Sequence, residues 1–244
     1  MTKSQVTPKY RIVGTKRIQY PGSIIDNGNA EKYFEFYETR MKNHYLRAVA
    51  SILKERGYEG RVLDIGCGAG VFGVILCDKT EYFDVVGLER SGTLVRISEA
   101  ISSRFGYGKR ISPRTWVDQS LPFPDGEFDA VVSLFSMHRW GDCENILSEI
   151  DRVRKKDGFV HITDFRRDFT FPPFSVYAAR NGLAAGGEIY RDLINSRNSA
   201  YTTREISSIL ESLGLSHWRL KKRGHFMTVS SSAEDIVSKV SGQQ

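Results

Sequence analysis

Apolar positions along the chain follow two alternating periods. Between residues 29 and 56 they recur at helical spacing, with Tyr33, Phe36 and Tyr37 followed by Tyr45, Val49, Ile52 and Leu53, and Gly57 supplies a stop. From there short apolar runs alternate with amphipathic stretches. RVLDI at 61–65 predicts a strand, VFGVILCDK at 71–79 a helix and DVVGLE at 84–89 a strand. Residues 92–106, with Leu94, Ile97, Ile101 and Phe105, predict a helix. RTWV at 114–117 predicts a short strand and FDAVVSLF at 128–135 a longer one. Residues 143–158 predict an amphipathic helix closing on Gly158, before the strand FVHITDF at 159–165. Strands and helices alternating at this length predict a parallel sheet covered on both faces.

The alternation breaks at 165–201, which is rich in aromatic residues and arginine and is interrupted by Pro172, Pro173 and several glycines. It resumes with a helix at 202–214, where Thr202 or Thr203 can cap and Glu205 can complete a capping box. Strands at 216–223 and 225–231, separated by Gly224, predict a hairpin that makes the last strand antiparallel.

Composition narrows the classes. With 244 residues, 40% hydrophobic and 26% charged, the chain is expected to form one domain with a full core. No run approaches the ~18 apolar residues of a membrane span. Residues 1–20 lack the continuous apolar core of a secretory signal, so a cytoplasmic location is expected. Cys67, Cys77 and Cys143 form no paired motif, which argues against a disulfide framework or a cysteine zinc site. The five histidines, 44, 138, 161, 217 and 225, show no ligand spacing, and no metal is expected. The net charge of +6 raises the chance of an anionic partner, while clusters such as RLKKR at 219–223 read as solvated surface.

The chemistry concentrates in RVLDIGCGAG at 61–70. A dinucleotide turn wants G-x-G-x-x-G, whereas Gly66, Gly68 and Gly70 give G-x-G-x-G, with Val71 in place of the third dinucleotide glycine. Asp64 would repel a pyrophosphate and suits a cationic ligand group. Glu89, ending the second strand, can accept both hydroxyls of a ribose. Asp118 can accept from an adenine amino group, and Gln119 can offer its backbone N–H.

Together VLDIGCGAG, VVGLERS, DQSLPFPDGEFDAVVSLFSMHRW and SEIDRVRKKDGFVHITDF resemble the class I S-adenosylmethionine-dependent methyltransferases, in the type 11 group similar to quinone-biosynthesis C-methyltransferases. The resemblance covers about residues 48–165 and the terminal hairpin. It implies a Rossmann-like seven-stranded, mostly parallel sheet with helices on both faces. It also implies one domain: an arm or lid at 1–45, a cofactor-binding core at 46–164, a substrate-cap insertion at 165–201, and a C-terminal helix and hairpin at 202–230. S-adenosylmethionine would be the cofactor and S-adenosylhomocysteine its product. Asp64, Gly66, Cys67, Gly68 and Gly70 would face the methionine moiety; Arg40 or Arg47 either pairs its carboxylate or is plain surface. Glu89 would hold the ribose, Arg90 and Leu121 would pack near the adenine, and Asp118 and Gln119 would read its edge. Phe135 and His138 would border the methyl donor, and Tyr33 and Tyr37 would close over it. Glu89 stands where the family often has aspartate, and RVRKKDG replaces the usual L-x-P-G-G turn.

His138 is a candidate general base and Asp164 a candidate for orienting substrate, while His161 reads as a core histidine. FPPF at 171–174 lies past the fifth strand rather than the fourth, where amino methyltransferases of adenine or glutamine carry a similar motif, and reads as a loop element. The aromatic residues of 165–201 (Phe165, Phe169, Phe171, Phe174, Tyr177, Tyr190) are expected to wall a pocket, and Arg166, Arg167, Arg180 and Arg191 to engage an anion. A small-molecule acceptor, aromatic or apolar with an anionic group, is expected. An RNA methyltransferase and a non-catalytic cofactor-binding protein are the alternatives.

Overall fold

The computed structural model describes residues 17–21, 30–57, 59–117 and 120–231. One sheet holds β1 (Glu59–Ile65), β2 (Tyr82–Glu89), β3 (Ile111–Thr115), β4 (Phe128–Leu134), β5 (Arg154–Phe165), β6 (Arg219–Arg223) and β7 (Phe226–Ser230). The order across it is β3-β2-β1-β4-β5-β7-β6. β1 to β5 pair in parallel, and β7 runs against both its neighbours. Chain order reverses between β1 and β4, so the carboxyl ends of these strands open a crevice.

The helices are α1 (Ala30–Arg40), α2 (Lys42–Arg56), α3 (Val71–Lys79), α4 (Gly92–Arg104), α5 (Cys143–Val153), α6 (Phe174–Gly182), α7 (Gly187–Ser199) and α8 (Thr203–Ser212). Successive strand residues point to opposite faces, and each face is buried. On one face Val62, Val85, Ala130 and Val132 meet Val49 and Ile52 of α2 and Phe72 and Leu76 of α3. On the other, Leu63, Val131 and Val160 meet Ile146 and Ile150 of α5 and Ile206 and Leu210 of α8. Double burial is why these strands read as continuous apolar runs. The capping box forms as expected, with Thr202 as the N-cap and Glu205 returning its side chain to the Thr202 N–H.

Four local expectations need correction. The helical stretch 29–56 divides at Met41, which is fully buried and receives the Tyr177 hydroxyl on its sulfur at 3.3 Å. The third strand is Ile111–Thr115, not 114–117. It is an edge strand, so Pro113 costs no ladder bond on its open side. The helix starting at Cys143 ends at Val153, and β5 begins at once. Arg154 binds Asp151 at 2.6 Å and the carbonyls of Lys155 and Lys156, folding RKKDG into a bulge against β4. Residues 165–201 hold two helices, α6 and α7, which bury Phe174, Ala178, Ile189 and Leu193.

Candidate functional site

The loop after β1 turns sharply beneath the end of β2. The Gly66 and Cys67 N–H groups donate to the Leu88 carbonyl at 2.7 and 3.0 Å. Gly66, Gly68 and Gly70 all have left-handed φ, at 78°, 55° and 82°. Their glycine requirements differ. A Cβ on Gly66 would lie 2.0 Å from the Ser136 hydroxyl, and one on Gly70 2.4 Å from that of Ser98, whereas nothing lies within 4 Å of one on Gly68. Gly66 and Gly70 are therefore packing glycines, and Gly68 leaves open space.

Glu89 organises this turn. Its Oε2 accepts from the Gly68 N–H at 3.1 Å and its Oε1 from the Ser91 N–H at 3.0 Å. Asp64 lies behind the loop, 2% exposed. Burial, with the Glu89 carboxylate adding to it, pushes the Asp64 carboxyl up to about 8. The Glu89 carboxylate, with Asp64 behind it able to ionise, favours a cationic group on the ligand.

A cavity of about 780 Å³ opens from this turn, within the range of roughly 300–1,000 Å³ usual for small-molecule sites. Gly66, Cys67, Gly68, Glu89, Arg90 and Trp116 line one end. Tyr20, Tyr33, Tyr37, Phe135, His138 and Arg139 line the other. The Tyr33 hydroxyl is buried and has no hydrogen-bond partner among the described residues. Phe135 has φ of 60°, a conformation a bulky residue rarely adopts. Its N–H bonds to the Thr163 carbonyl at 2.8 Å, and its ring packs on Tyr37, Tyr45 and Phe165. The chain thus leaves β4 with an aromatic ring fixed in the cavity wall.

His138 sits in a 3₁₀ turn, Met137–Arg139, and is fully buried. Asp164 accepts the His138 backbone N–H at 2.6 Å and faces its Nδ1 at 2.9 Å. Arg139 Nε donates to His138 Nε2 at 3.1 Å, which places the ring proton on Nδ1. The Arg139 guanidinium reaches Asp192 at 3.4 Å and lies 4.5 Å from the Tyr20 ring centroid, and the Tyr20 hydroxyl donates to Asp192. Burial works against the charge on Arg139, but Asp192 leads the groups that outweigh it and keep it protonated. Arg17 closes this end. It binds the Ser199 carbonyl at 2.8 Å and the His138 and Trp140 carbonyls at 3.3 Å, and stacks on Tyr201.

Of the residues singled out from sequence, Gly66, Cys67, Gly68, Glu89, Arg90, Phe135, His138, Tyr33 and Tyr37 line one cavity. Asp64, Gly70 and Asp164 stand behind its wall. Asp118 and Gln119 lie outside the described residues. Leu121 packs in the core with Phe123 and Phe128 and does not line the cavity. Arg40 is exposed at the end of α1, and Arg47 lines a different cavity. The residues proposed from 165–201 do not line this one either. Arg167 is tied to Glu205 and the Ala200 carbonyl, Arg166 to Asp168, and Phe165 is core. Arg139, Asp192, Tyr20 and Arg17 were not foreseen. Only the position of Arg139 beside His138 offered a signal, because long-range packing alone brings α7 and residues 17–21 here.

Comparison with known proteins agrees with this geometry. A family model described as a methyltransferase domain matches residues 35–220. The uncharacterized methyltransferase YcgJ of Bacillus subtilis is 28% identical over 106 residues, 43% of this chain and 41% of that protein. A demethylmenaquinone methyltransferase of Bacteroides fragilis is 24% identical over 142 residues, 58% of this chain and 57% of that protein. The chain therefore spans about half the length of these relatives. The crystal structure of a SAM-dependent methyltransferase from Aquifex aeolicus shares the fold with a TM-score of 0.59, at 20% identity over 84% of this chain and 97% of that one. Among the described residues no helix is long and apolar enough to cross a membrane. The family model spans the glycine turn, Glu89, Tyr37 and Phe135, and the chain belongs to the methyltransferase-domain family, with the class I S-adenosylmethionine-dependent fold.

Proposed function

We propose that this chain transfers a methyl group from S-adenosylmethionine to a small aromatic acceptor that carries an anionic oxygen, leaving S-adenosylhomocysteine. One observation carries the acceptor class: the charged Arg139 guanidinium at the aromatic end of the cavity, among Tyr20, Tyr37 and Phe135. The cofactor fits the opposite end. Gly68 leaves room at the turn, and the Glu89 carboxylate, with Asp64 behind it, suits a ligand with cationic centres.

When bound, the cofactor supplies an activated methyl on a sulfonium. The chain's own work is alignment and exclusion of water. Glu89 holds the turn through Gly68 and Ser91 and keeps lone pairs for the ribose hydroxyls. Phe135, Tyr33 and Tyr37 wall the transfer path, and Arg17 and Tyr20 close over it. Arg139 holds the acceptor as its anion, so no side chain has to remove a proton during transfer. His138 and Asp164 then act as positioning residues: Asp164 retains the proton at Nδ1, and Nε2 receives Arg139. The acceptor site forms beside Arg17 and Tyr20, and α7 contributes Asp192 behind it. The Bacteroides relative's name specifies a demethylmenaquinone acceptor, which agrees with an aromatic class.

The test is methyl transfer from labelled S-adenosylmethionine to pooled phenols and aromatic acids, run beside total RNA. Label in the aromatic pool is expected. Label in RNA alone, or in neither, would overturn the proposal.

A further inference from the structure

A second cavity, of about 650 Å³, lies between α2 and the β5–β7–β6 side of the sheet. Cross-strand rows build its floor: His161, Ser230 and Arg219 stand side by side, as do Thr163, Thr228 and Lys221. Alternation puts these rows on one face. α2 adds His44, Arg47, Ser51 and Lys54. An aromatic layer separates this space from the main cavity, for His44 and Phe226 line the second and pack on Phe135 at 5.3 and 6.0 Å.

Its charge is one-sided. Arg47, Lys54, Arg219, Lys221, Lys222 and Arg223 line it, against the single lining carboxylate of Glu55 among the described residues. Arg47, Lys54, Lys221, Lys222 and Arg223 form no ion pair with a described residue. Other arginines of the fold do: Arg56, Arg152, Arg154 and Arg167 are each held by carboxylates.

The floor is polar. His161 is 6% exposed, and its Nδ1 has no hydrogen-bond partner among the described residues. Its Nε2 lies 3.1 Å from the Thr163 hydroxyl, which lies 2.9 Å from that of Thr228. Burial lowers both His161 and His44 to about 4, with Arg47 and Arg223 adding to the shift at His44. The imidazoles are thus neutral, and the positive charge of the cavity belongs to its lysines and arginines.

We propose that this second cavity binds a small ligand through a diphosphate or longer phosphate chain. Phosphate oxygens would accept from Arg47, Lys221 and Arg223 at the rim and from the Ser51 and Ser230 hydroxyls lining the cavity. The concave shape and volume suit a compact ligand. A membrane surface does not fit, because none of the exposed large apolar side chains lines the cavity.

The test is calorimetry of the full chain with pyrophosphate, comparing wild type with Lys221→Gln/Arg223→Gln. Both positions are exposed, so circular dichroism should be unchanged. Pyrophosphate affinity should fall about tenfold, the sum of two exposed charge contacts. S-adenosylhomocysteine affinity, measured in parallel, should stay the same. Its failure in wild type would count against the proposed function and leave the pyrophosphate result standing. Equal pyrophosphate affinity in both proteins, or no heat from wild type at millimolar pyrophosphate, would overturn the proposal. So would a single-stranded RNA oligomer that binds far more tightly than pyrophosphate and loses affinity in the same variant, since the site would then be a nucleic-acid groove.

Discussion

Arg139 Nε donates to His138 Nε2 at 3.1 Å, so the cation at the aromatic end of the main cavity is fixed by its own neighbour in sequence. The imidazole cannot accept a second proton at that nitrogen without losing the bond. Asp164 accounts for the other nitrogen.

This arrangement separates two roles by kinetics. Arg139→Met removes a charged hydrogen bond to the acceptor, worth about 1.5–3 kcal/mol. The acceptor KM should rise about ten- to a hundredfold, while the dissociation constant of S-adenosylhomocysteine stays within a fewfold. An unchanged acceptor KM would remove Arg139 from the substrate site. In His138→Phe the guanidinium loses its support, and a smaller rise in KM is expected without a new limb in the pH–rate profile. Loss of an alkaline-rising limb in that variant would make His138 a base after all.

The two nearby glycines should respond in opposite ways. Gly66→Ala drives a Cβ to 2.0 Å from the Ser136 hydroxyl, beneath the turn, and should destabilise the fold. Gly68→Ala meets nothing within 4 Å and should cost only the left-handed backbone penalty, about 1–2 kcal/mol. Its methyl group would occupy ligand space, so cofactor affinity should suffer more than stability. Thermal melts with and without S-adenosylhomocysteine distinguish the cases. A Gly68→Ala protein that binds like wild type would show that the ligand stays clear of this turn.

Asp64 gives a pH prediction. Its folded-state value, about 8, exceeds the unfolded 3.8, so the protonated form is favoured by folding. The corresponding stabilisation is complete below about pH 4 and is lost as pH rises through 8, on the order of a few kcal/mol for the free protein. Asp64→Asn should remove that slope, and denaturant melts at pH 5 and pH 8 measure it. A cationic ligand favours the ionised carboxyl, so wild-type affinity should rise with pH up to about 8 while the variant's stays flat. Parallel slopes in the two proteins would detach Asp64 from both effects.

The sheet was readable because double burial writes itself as runs such as VVGL and AVVSLF, and the glycine turn because left-handed φ admits few residues. The edge strand was shifted by Pro113, which an open edge tolerates. The bulge at 154–158 was hidden because Arg154 folds back onto local carbonyls, a contact without a periodic signature. The acceptor end was the hardest to foresee. Its parts come from residues 17–21, α1, the 3₁₀ turn and α7, and only tertiary packing unites Tyr20, Arg139 and Asp192. The arginines and aromatic rings of 165–201 looked like pocket material, but Arg167 binds Glu205 and Phe165 joins the core instead.

The proposed cofactor end of the main cavity is the turn at 66–70 with Glu89. Calorimetry with S-adenosylhomocysteine, on wild type and Glu89→Ala, tests it most directly. One-site binding is expected in wild type, weakened about ten- to a hundredfold in the variant as the carboxylate bonds are lost. No heat from wild type, or the same dissociation constant in both proteins, would take the turn and Glu89 out of the cofactor site.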